Sequence, residues 1–211
     1  MKIDFVSDVA CPWCAVGLNS LEMALARLGD ELPVELRFQP FELNPAMPAE
    51  GQDATEYLAR KYQLSAEQVA QNRQAIVERG AAVGFSFGQR TRVWNTFDAH
   101  RLLHWAGLQG ATYQRDLKHA LLRAYHSHGE NPGAREVLLR LAGEVGLDVA
   151  AAREVLDAGR YADEVRAGEA LYQRLGINSV PSVIVNDTHL IQGGQPPEVF
   201  EQALREIAAG G

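Results

Sequence analysis

The order of predicted elements indicates an α/β protein in which a small mixed sheet is interrupted by an all-helical insertion. Residues 3–6 form an apolar run typical of a buried strand, and residues 34–39 alternate apolar and polar side chains with the period of a strand. Between them, residues 18–28 carry the apolar spacing of a helix. Two further strands, 182–185 and 189–192, flank a predicted hairpin turn, and 197–207 closes the chain as a helix.

The long middle segment predicts helices from about residue 53 to residue 175. Asp53-x-x-Glu56 and Ser65-x-x-Gln68 resemble capping boxes at two helix starts. Further helices are predicted over 96–108, 112–127, 134–145, 150–158 and 161–175. We therefore expect residues 1–45 and 160–211 to form one sheet-containing domain, with residues 46–159 as its helical insertion.

The composition is that of an ordinary globular protein, with 46% hydrophobic and 22% charged residues among 211. No run of about 18 apolar residues could span a bilayer. The formal charge of -7 disfavours attraction to nucleic acid or anionic lipid, so we expect proteins or small molecules as partners. The N-terminus enters a strand pattern without a signal-peptide pattern, which favours a cytoplasmic location.

Both cysteines lie within four residues, Cys11-Pro12-Trp13-Cys14, between the first predicted strand and the first predicted helix. A chain of this length can bury a core without disulfide staples, so the pair is predicted to be a chemical site. A helix N-terminus favours a negative sulfur, and we assign Cys11 as the nucleophile. Cys14, one turn further in, is expected to attack Cys11 and release the partner in a thiol-disulfide cycle.

Five short motifs are spread over nearly the whole chain. They are Asp8-x-x-Cys11-Pro12-Trp13-Cys14, Phe41-Glu42-Leu43-Asn44-Pro45, Asn95-Thr96-x-x-Ala99-His100-Arg101, Gly176-Ile177-x-x-Val180-Pro181-Ser182 and Gly193-Gly194-Gln195-Pro196. With these motifs the chain resembles the DsbA family of thiol-disulfide oxidoreductases, and most closely its FrnE-like branch.

The resemblance implies a thioredoxin fold with a helical insertion, in which residues 1–45 and 160–211 are the thioredoxin-like domain. It implies an oxidoreductase or disulfide isomerase that acts on protein or small-molecule disulfides and thiols. Such an enzyme needs no cofactor beyond the Cys11–Cys14 disulfide, and a reductant or oxidant recycles it. The sequence leaves the oxidase, reductase and isomerase directions open.

The resemblance also implies roles for residues around the cysteines. Pro181 would be cis and face the cysteines, and the backbone of Val180 would position the substrate beside the apolar surface of Trp13. Asp8 has two interpretations: a proton relay for Cys14, or a solvated carboxylate near a helix N-terminus.

Two further pairs of residues also have two interpretations each. Asn95 and Thr96 are typical helix-capping residues, while the resemblance places them near the cysteine face as substrate contacts. Gly193 and Gly194 predict a strand-end turn first, and a substrate-facing backbone second.

A metal site is the first competing hypothesis, because Cys11, Cys14, His100 and His104 make a Cys₂His₂ inventory. The two pairs lie far apart in sequence, unlike the compact spacing of a zinc finger, so no metal is expected.

Two other functions remain as alternatives. Kappa-class glutathione transferases and 2-hydroxychromene-2-carboxylate isomerases share this fold, typically with a serine where Cys11 stands, and glutathione would then be a co-substrate. The retained Cys14 favours a dithiol cycle. A non-catalytic binding module or chaperone would need an apolar face, although aromatic residues at such spacings are usually core. The candidates for that face are Trp13, Phe41, Trp94 and Phe97.

Overall fold

A four-stranded mixed sheet forms the centre of one half of the protein. The computed structural model describes residues 1–210. The strands are β1 (Lys2–Ser7), β2 (Glu35–Pro40), β3 (Gln52–Asp53), β4 (Arg92–Val93), β5 (Ser182–Val185) and β6 (His189–Gln192). The sheet has the order β2-β1-β5-β6, in which β1 pairs with β2 in parallel and with β5 in antiparallel orientation. Strand β1 is therefore central, and the cysteine motif follows its C-terminal end.

The remaining elements are mostly helices. They are α1 (Pro12–Leu28), α2 (Ala54–Tyr62), α3 (Ala66–Ala82), α4 (Phe97–Gln109), α5 (Ala111–His126), α6 (Arg135–Glu144), α7 (Val149–Asp157), α8 (Ala162–Arg174) and α9 (Pro197–Ala208). No helix within residues 1–210 is long and apolar enough to cross a bilayer.

Two large apolar cores meet at the cysteine turn. The first lies on the sheet and contains Phe5, Leu18 and Phe200 together with both cysteines. The second lies inside the α4–α7 bundle and contains Leu121 and Leu138. Val9 and Ala10, immediately before Cys11, belong to the second core, so the turn that carries the cysteines is packed from both sides.

The predicted fold class is confirmed, since a mixed sheet is interrupted by a long helical segment. The capping box at Ser65 and Gln68 is present with both of its hydrogen bonds. One feature was not predicted: β3 and β4 pair within the helical segment, with Gln52 opposite Val93. Strands of two residues are too short to show an alternating pattern. The boundaries at 45/46 and 159/160 stay a prediction.

Candidate active site

Cys11 occupies the N-cap position of α1, with Pro12 as the first helical residue. Both cysteines are free thiols. Cys11 is 4% exposed and Cys14 is completely buried. The Sγ atom of Cys11 lies 3.5 Å from the carbonyl oxygen of Val180, to which the thiol can donate. The Cys11 side chain is therefore almost entirely covered, with its sulfur next to the Val180 peptide.

The two thiols are pushed in opposite directions. A hydrogen bond from Cys14 lowers the pKa of Cys11, and the backbone N–H groups of Cys14 and Trp13 add to this effect against burial and the charge of Asp8. Burial raises the pKa of Cys14 well above that of an ordinary thiol, and a negative Cys11 raises it further. Cys11 is thus the thiol that ionises first, and Cys14 holds its proton.

The Val180–Pro181 peptide bond is cis, as the resemblance implied. Pro181 packs directly on α1, where a Cβ atom added to Gly17 would come within 2.9 Å of the proline ring. Gly194 also packs on α1, and an added Cβ there would lie 3.1 Å from the carbonyl oxygen of Trp13. Small residues let the late loops approach the first turn of α1 closely.

Asp8 is fully buried, and the interpretation as a solvated carboxylate is wrong. Its carboxylate accepts from the backbone N–H groups of Ala10 and Leu43, at 3.0 and 2.7 Å. The hydroxyl of Thr96 donates to it at 2.8 Å, and Nε2 of His100 lies at 3.3 Å.

Burial alone would raise the pKa of Asp8. The hydrogen bond and charge of His100, together with the N–H groups of Ala10 and Leu43, outweigh that effect and hold the pKa below its ordinary value. Asp8 is therefore an ion that fixes the cysteine turn against the loop after β2 and the start of α4.

Asn95 and Thr96 lie at the start of α4, and only Asn95 behaves as a capping side chain. Its Oδ1 atom accepts from the backbone N–H of Phe97 at 2.9 Å, and its Nδ2 atom donates to the carbonyl oxygen of Met47 at 3.0 Å. Thr96 holds the N-cap position without a side-chain cap, because its hydroxyl donates to Asp8. The capping interpretation of Thr96 is therefore wrong.

The four residues considered for a Cys₂His₂ metal site, Cys11, Cys14, His100 and His104, do not come together around one point. His100 is directed at Asp8, and His104 stacks on Tyr161 with 5.2 Å between ring centroids. Across residues 1–210, no group of three or more histidine, cysteine, aspartate or glutamate residues could hold a metal ion.

A cavity of about 940 Å³ opens beside Cys11. The first turn of α1 and Val180 form its floor, and helices α2 and α3 form its roof. Asn95, Thr96, Pro181 and Gly194 are not among the lining residues. Of the predicted substrate contacts, the structure therefore brings Trp13 and Val180 to the cavity and leaves the others behind it.

The aromatic residues proposed for a binding face do not share one surface. Trp13 and Phe41 line the cavity. The guanidinium groups of Arg92 and Arg166 instead lie over the rings of Trp94 and Phe97.

Sequence reasoning missed two buried groups on one face of α5. Lys118 is 1% exposed, and burial lowers its pKa while the charges of Cys14, Asp8 and Cys11 oppose that shift. His126 is also 1% exposed, and its Nε2 atom lies 2.8 Å from the carbonyl oxygen of Val9. Their burial could have been predicted from the sequence, because Lys118 and His126 are two steps of four residues apart on an otherwise apolar face of the helix.

Comparison with known proteins agrees with this geometry. A family model described as "DSBA-like thioredoxin domain" matches residues 2–205. The probable DsbA oxidoreductase SCO1869 from Streptomyces coelicolor is 36% identical, with a TM-score of 0.91 over 98% of this chain and 89% of that one.

Two more distant structures share the fold. A 2-hydroxychromene-2-carboxylate isomerase is 15% identical, with a TM-score of 0.73 over 99% of this chain and 96% of that one. The cytosolic disulfide reductase DsbM from Pseudomonas aeruginosa, solved with GSH, is 18% identical, with a TM-score of 0.69 over 99% and 100%.

Proposed function

The chain belongs to the DSBA-like thioredoxin domain family, and from that membership we propose that it is a thiol-disulfide oxidoreductase working through Cys11 and Cys14. The predicted DsbA family and thioredoxin fold are thereby confirmed, while the FrnE-like branch is part of the proposal. One observation carries the proposed activity: adjacent thiols at a helix N-terminus have pKa values shifted in opposite directions. This is the arrangement that a nucleophile and a resolving thiol require.

The proposed cycle moves two electrons between the cysteines and a disulfide R–S–S–R′. The Cys11 thiolate attacks one sulfur, a Cys11–S–S–R bond forms, and R′–S⁻ leaves and takes up a proton. Cys14 then loses its proton and attacks the sulfur of Cys11, so that R–S⁻ leaves and the Cys11–Cys14 disulfide remains. The substrate is reduced and the dithiol oxidised; the same steps run backwards oxidise a substrate.

The second step requires a thiolate at Cys14, and the buried charges bear on its formation. Asp8 already accepts hydrogen bonds from several donors and has a lowered pKa, which disfavours it as the proton acceptor. The positive charge of Lys118 lowers the pKa of Cys14 against the effect of burial. We therefore assign Lys118 to promoting this ionisation and Asp8 to holding the turn.

The proposal extends to a cytoplasmic location and to recycling by a thiol such as glutathione. DsbM, which shares the fold, is named a cytosolic disulfide reductase and was solved with GSH. Disulfide isomerase activity belongs to the same proposal, because a mixed disulfide at Cys11 can also be attacked by another thiol of the substrate.

A glutathione-dependent isomerase is the second candidate, favoured by the likeness in fold to 2-hydroxychromene-2-carboxylate isomerase. Such chemistry needs one activated sulfur from glutathione and no resolving thiol. The hydrogen bond between the Cys14 and Cys11 side chains favours the dithiol cycle.

Single turnover with a small disulfide separates the candidates. The reduced wild-type protein should release both halves of the disulfide as thiols and end with an intramolecular disulfide, as followed by thiol release and intact mass. Cys14→Ser should stop at a mixed disulfide after releasing one half, and Cys11→Ser should lose the fast reaction. Full glutathione-dependent isomerase activity in Cys14→Ser would establish the second candidate, and an unreactive wild-type pair would overturn the proposed cycle.

A further inference from the structure

The α2–α3 hairpin covers the reactive cysteine, and only its first helix contributes to a small core, in which Ala54 and Tyr57 pack with Met47 and Val93. Ala54 is the one buried residue of α2, and Gly80 is the one buried residue of α3. The apolar side chains of the hairpin face the cavity instead, where Tyr62 lies 53% exposed. The residues that form this apolar roof are Tyr57, Leu58, Tyr62, Leu64, Val69, Ile76 and Val77.

The dimensions of the site fit a small molecule. Its volume of about 940 Å³ lies within the range of about 300–1,000 Å³ typical of small-ligand pockets. A disulfide within a protein chain would need an open groove for an extended segment on both sides of the sulfur. Here residues of α2 and α3 line the same cavity as Cys11, so an extended segment would have to pass beneath the hairpin.

Three cations line the cavity: Lys61 on α2, Arg73 on α3, and Arg90 in the loop after α3. The Nζ atom of Lys61 donates to the carbonyl oxygen of Leu43 at 2.9 Å and to Oδ1 of Asn44 at 2.6 Å.

The two arginines likewise contact neutral groups. Arg90 donates to the carbonyl oxygen of Ala10 at 3.1 Å and lies over the ring of Tyr125, and Arg73 reaches the carbonyl oxygen of Gly88 at 3.5 Å. Among residues 1–210, no carboxylate forms an ion pair with any of the three cations.

The one acidic residue of the lining, Glu42, does not pair with these three cations. Glu42 is 6% exposed and uses Oε2 to accept from Arg166, while its buried Oε1 atom has no hydrogen-bond partner. This oxygen is enclosed by protein atoms, and burial and the charge of Glu169 raise the pKa of Glu42. The cavity therefore presents three positive charges without a carboxylate partner in a protein whose formal charge is -7.

We propose that the cavity selects anionic low-molecular-weight disulfides and their thiols, bearing at least one carboxylate, over protein disulfides. Carboxylates of the ligand pair with Lys61, Arg73 and Arg90, and its apolar part lies under the roof. This inference rests on the proposed function, since the exchange at Cys11 is the dithiol step described above. Two molecules of a low-molecular-weight thiol restore the dithiol: the first opens the Cys11–Cys14 disulfide to a mixed disulfide at Cys11, and the second attacks that mixed disulfide and leaves with the first as a new disulfide.

Three aliphatic disulfides of similar length test the charge preference: dianionic 3,3′-dithiodipropionate, neutral 3,3′-dithiodipropionamide and dicationic cystamine. Rate constants with the reduced protein are divided by those of a free small thiol, which removes intrinsic reactivity. At low ionic strength the anion should exceed the neutral compound by about tenfold, with the cation slowest, and salt should shrink the difference. Insulin, as a protein disulfide, should react more slowly than the anion.

Arg73→Gln is the informative variant, because its long contact with Gly88 is easily given up. It should lower the anion-to-neutral ratio by about threefold or more. Arg60→Gln is the matched control, since Arg60 lies on the neighbouring helix α2 with the same charge but does not line the cavity.

The outcomes separate the inference from the proposed function. Equal normalised rates for anion and neutral compound, an equal response to Arg60→Gln, or insulin reacting as fast as the anion would overturn the inference and leave the dithiol cycle standing. Failure of every disulfide to react at Cys11 would overturn both.

Discussion

The helical bundle α4–α7 and the helical hairpin α2–α3 have similar sequence patterns and different physical roles. In the bundle, Leu102, Leu121 and Leu138 are completely buried in one shared core. In the hairpin, the apolar residues line a cavity, and only Ala54 and Gly80 are buried. A helix can thus carry an apolar stripe either to stabilise the fold or to cover a site, and periodicity alone does not distinguish the two.

The largest expected contrast is in stability. Leu121→Ala should lower the free energy of unfolding by about 2–5 kcal/mol, because it leaves a cavity in a packed core. Ile76→Ala in the roof should cost less than about 1 kcal/mol, because its side chain already faces open space. Chemical denaturation of both variants measures this difference. Equal losses would show that the roof is part of the core, contrary to the comparison.

A smaller effect concerns His126, where the bundle meets the cavity. Burial lowers its pKa to about 3, whereas an unfolded histidine titrates near 6.5. Between these values the unfolded state binds more protons, so stability should fall as the pH is lowered from about 6.5, by at most about 1.4 kcal/mol per pH unit.

Denaturation of the wild type and of His126→Gln between pH 7 and pH 4.5 isolates this contribution. Glutamine keeps an N–H donor for the Val9 carbonyl and does not titrate, so the difference in stability between the two proteins should change with pH. A constant difference across that range would mean that His126 is accessible to solvent and not held by the bundle.

The smallest effect is local to the hairpin. Ser65→Ala removes the capping box of α3, which is worth about 1 kcal/mol. If the hairpin opens independently of the bundle, amide exchange in α3 should accelerate about fivefold while exchange in α5 stays unchanged. Matching acceleration in both helices would indicate one cooperative unit and would remove the distinction between roof and bundle.

Much of the fold could be predicted from the sequence because strong local signals mark its elements. The strands at residues 182–185 and 189–192 lie where they were predicted, with Asn186 and Asp187 in the left-handed turn between them. The position of the cysteines after β1 was likewise evident from the apolar run before them and the helix after them.

The surroundings of the cysteines could not be predicted in the same way. Asp8 was expected to be a proton relay or a solvated ion, and its burial results from partners on α4 that local patterns do not connect to it. The cations of the cavity come from separate helices and a loop, and their convergence depends on how α2 and α3 are placed over α1. Tertiary placement decides these features, and one sequence carries little information about it.

The carboxylate of Asp8 also sets an order in which the protein can mature. Strand β1 and the cysteine turn are synthesised early, but the partners Thr96 and His100 follow 88 and 92 residues later. A buried charge that lacks half of its hydrogen-bond donors is costly, so the turn gains little from folding before α4 has emerged and docked. During synthesis the two thiols therefore precede the partners of Asp8, and the turn that carries them is complete only when the distant helix is in place.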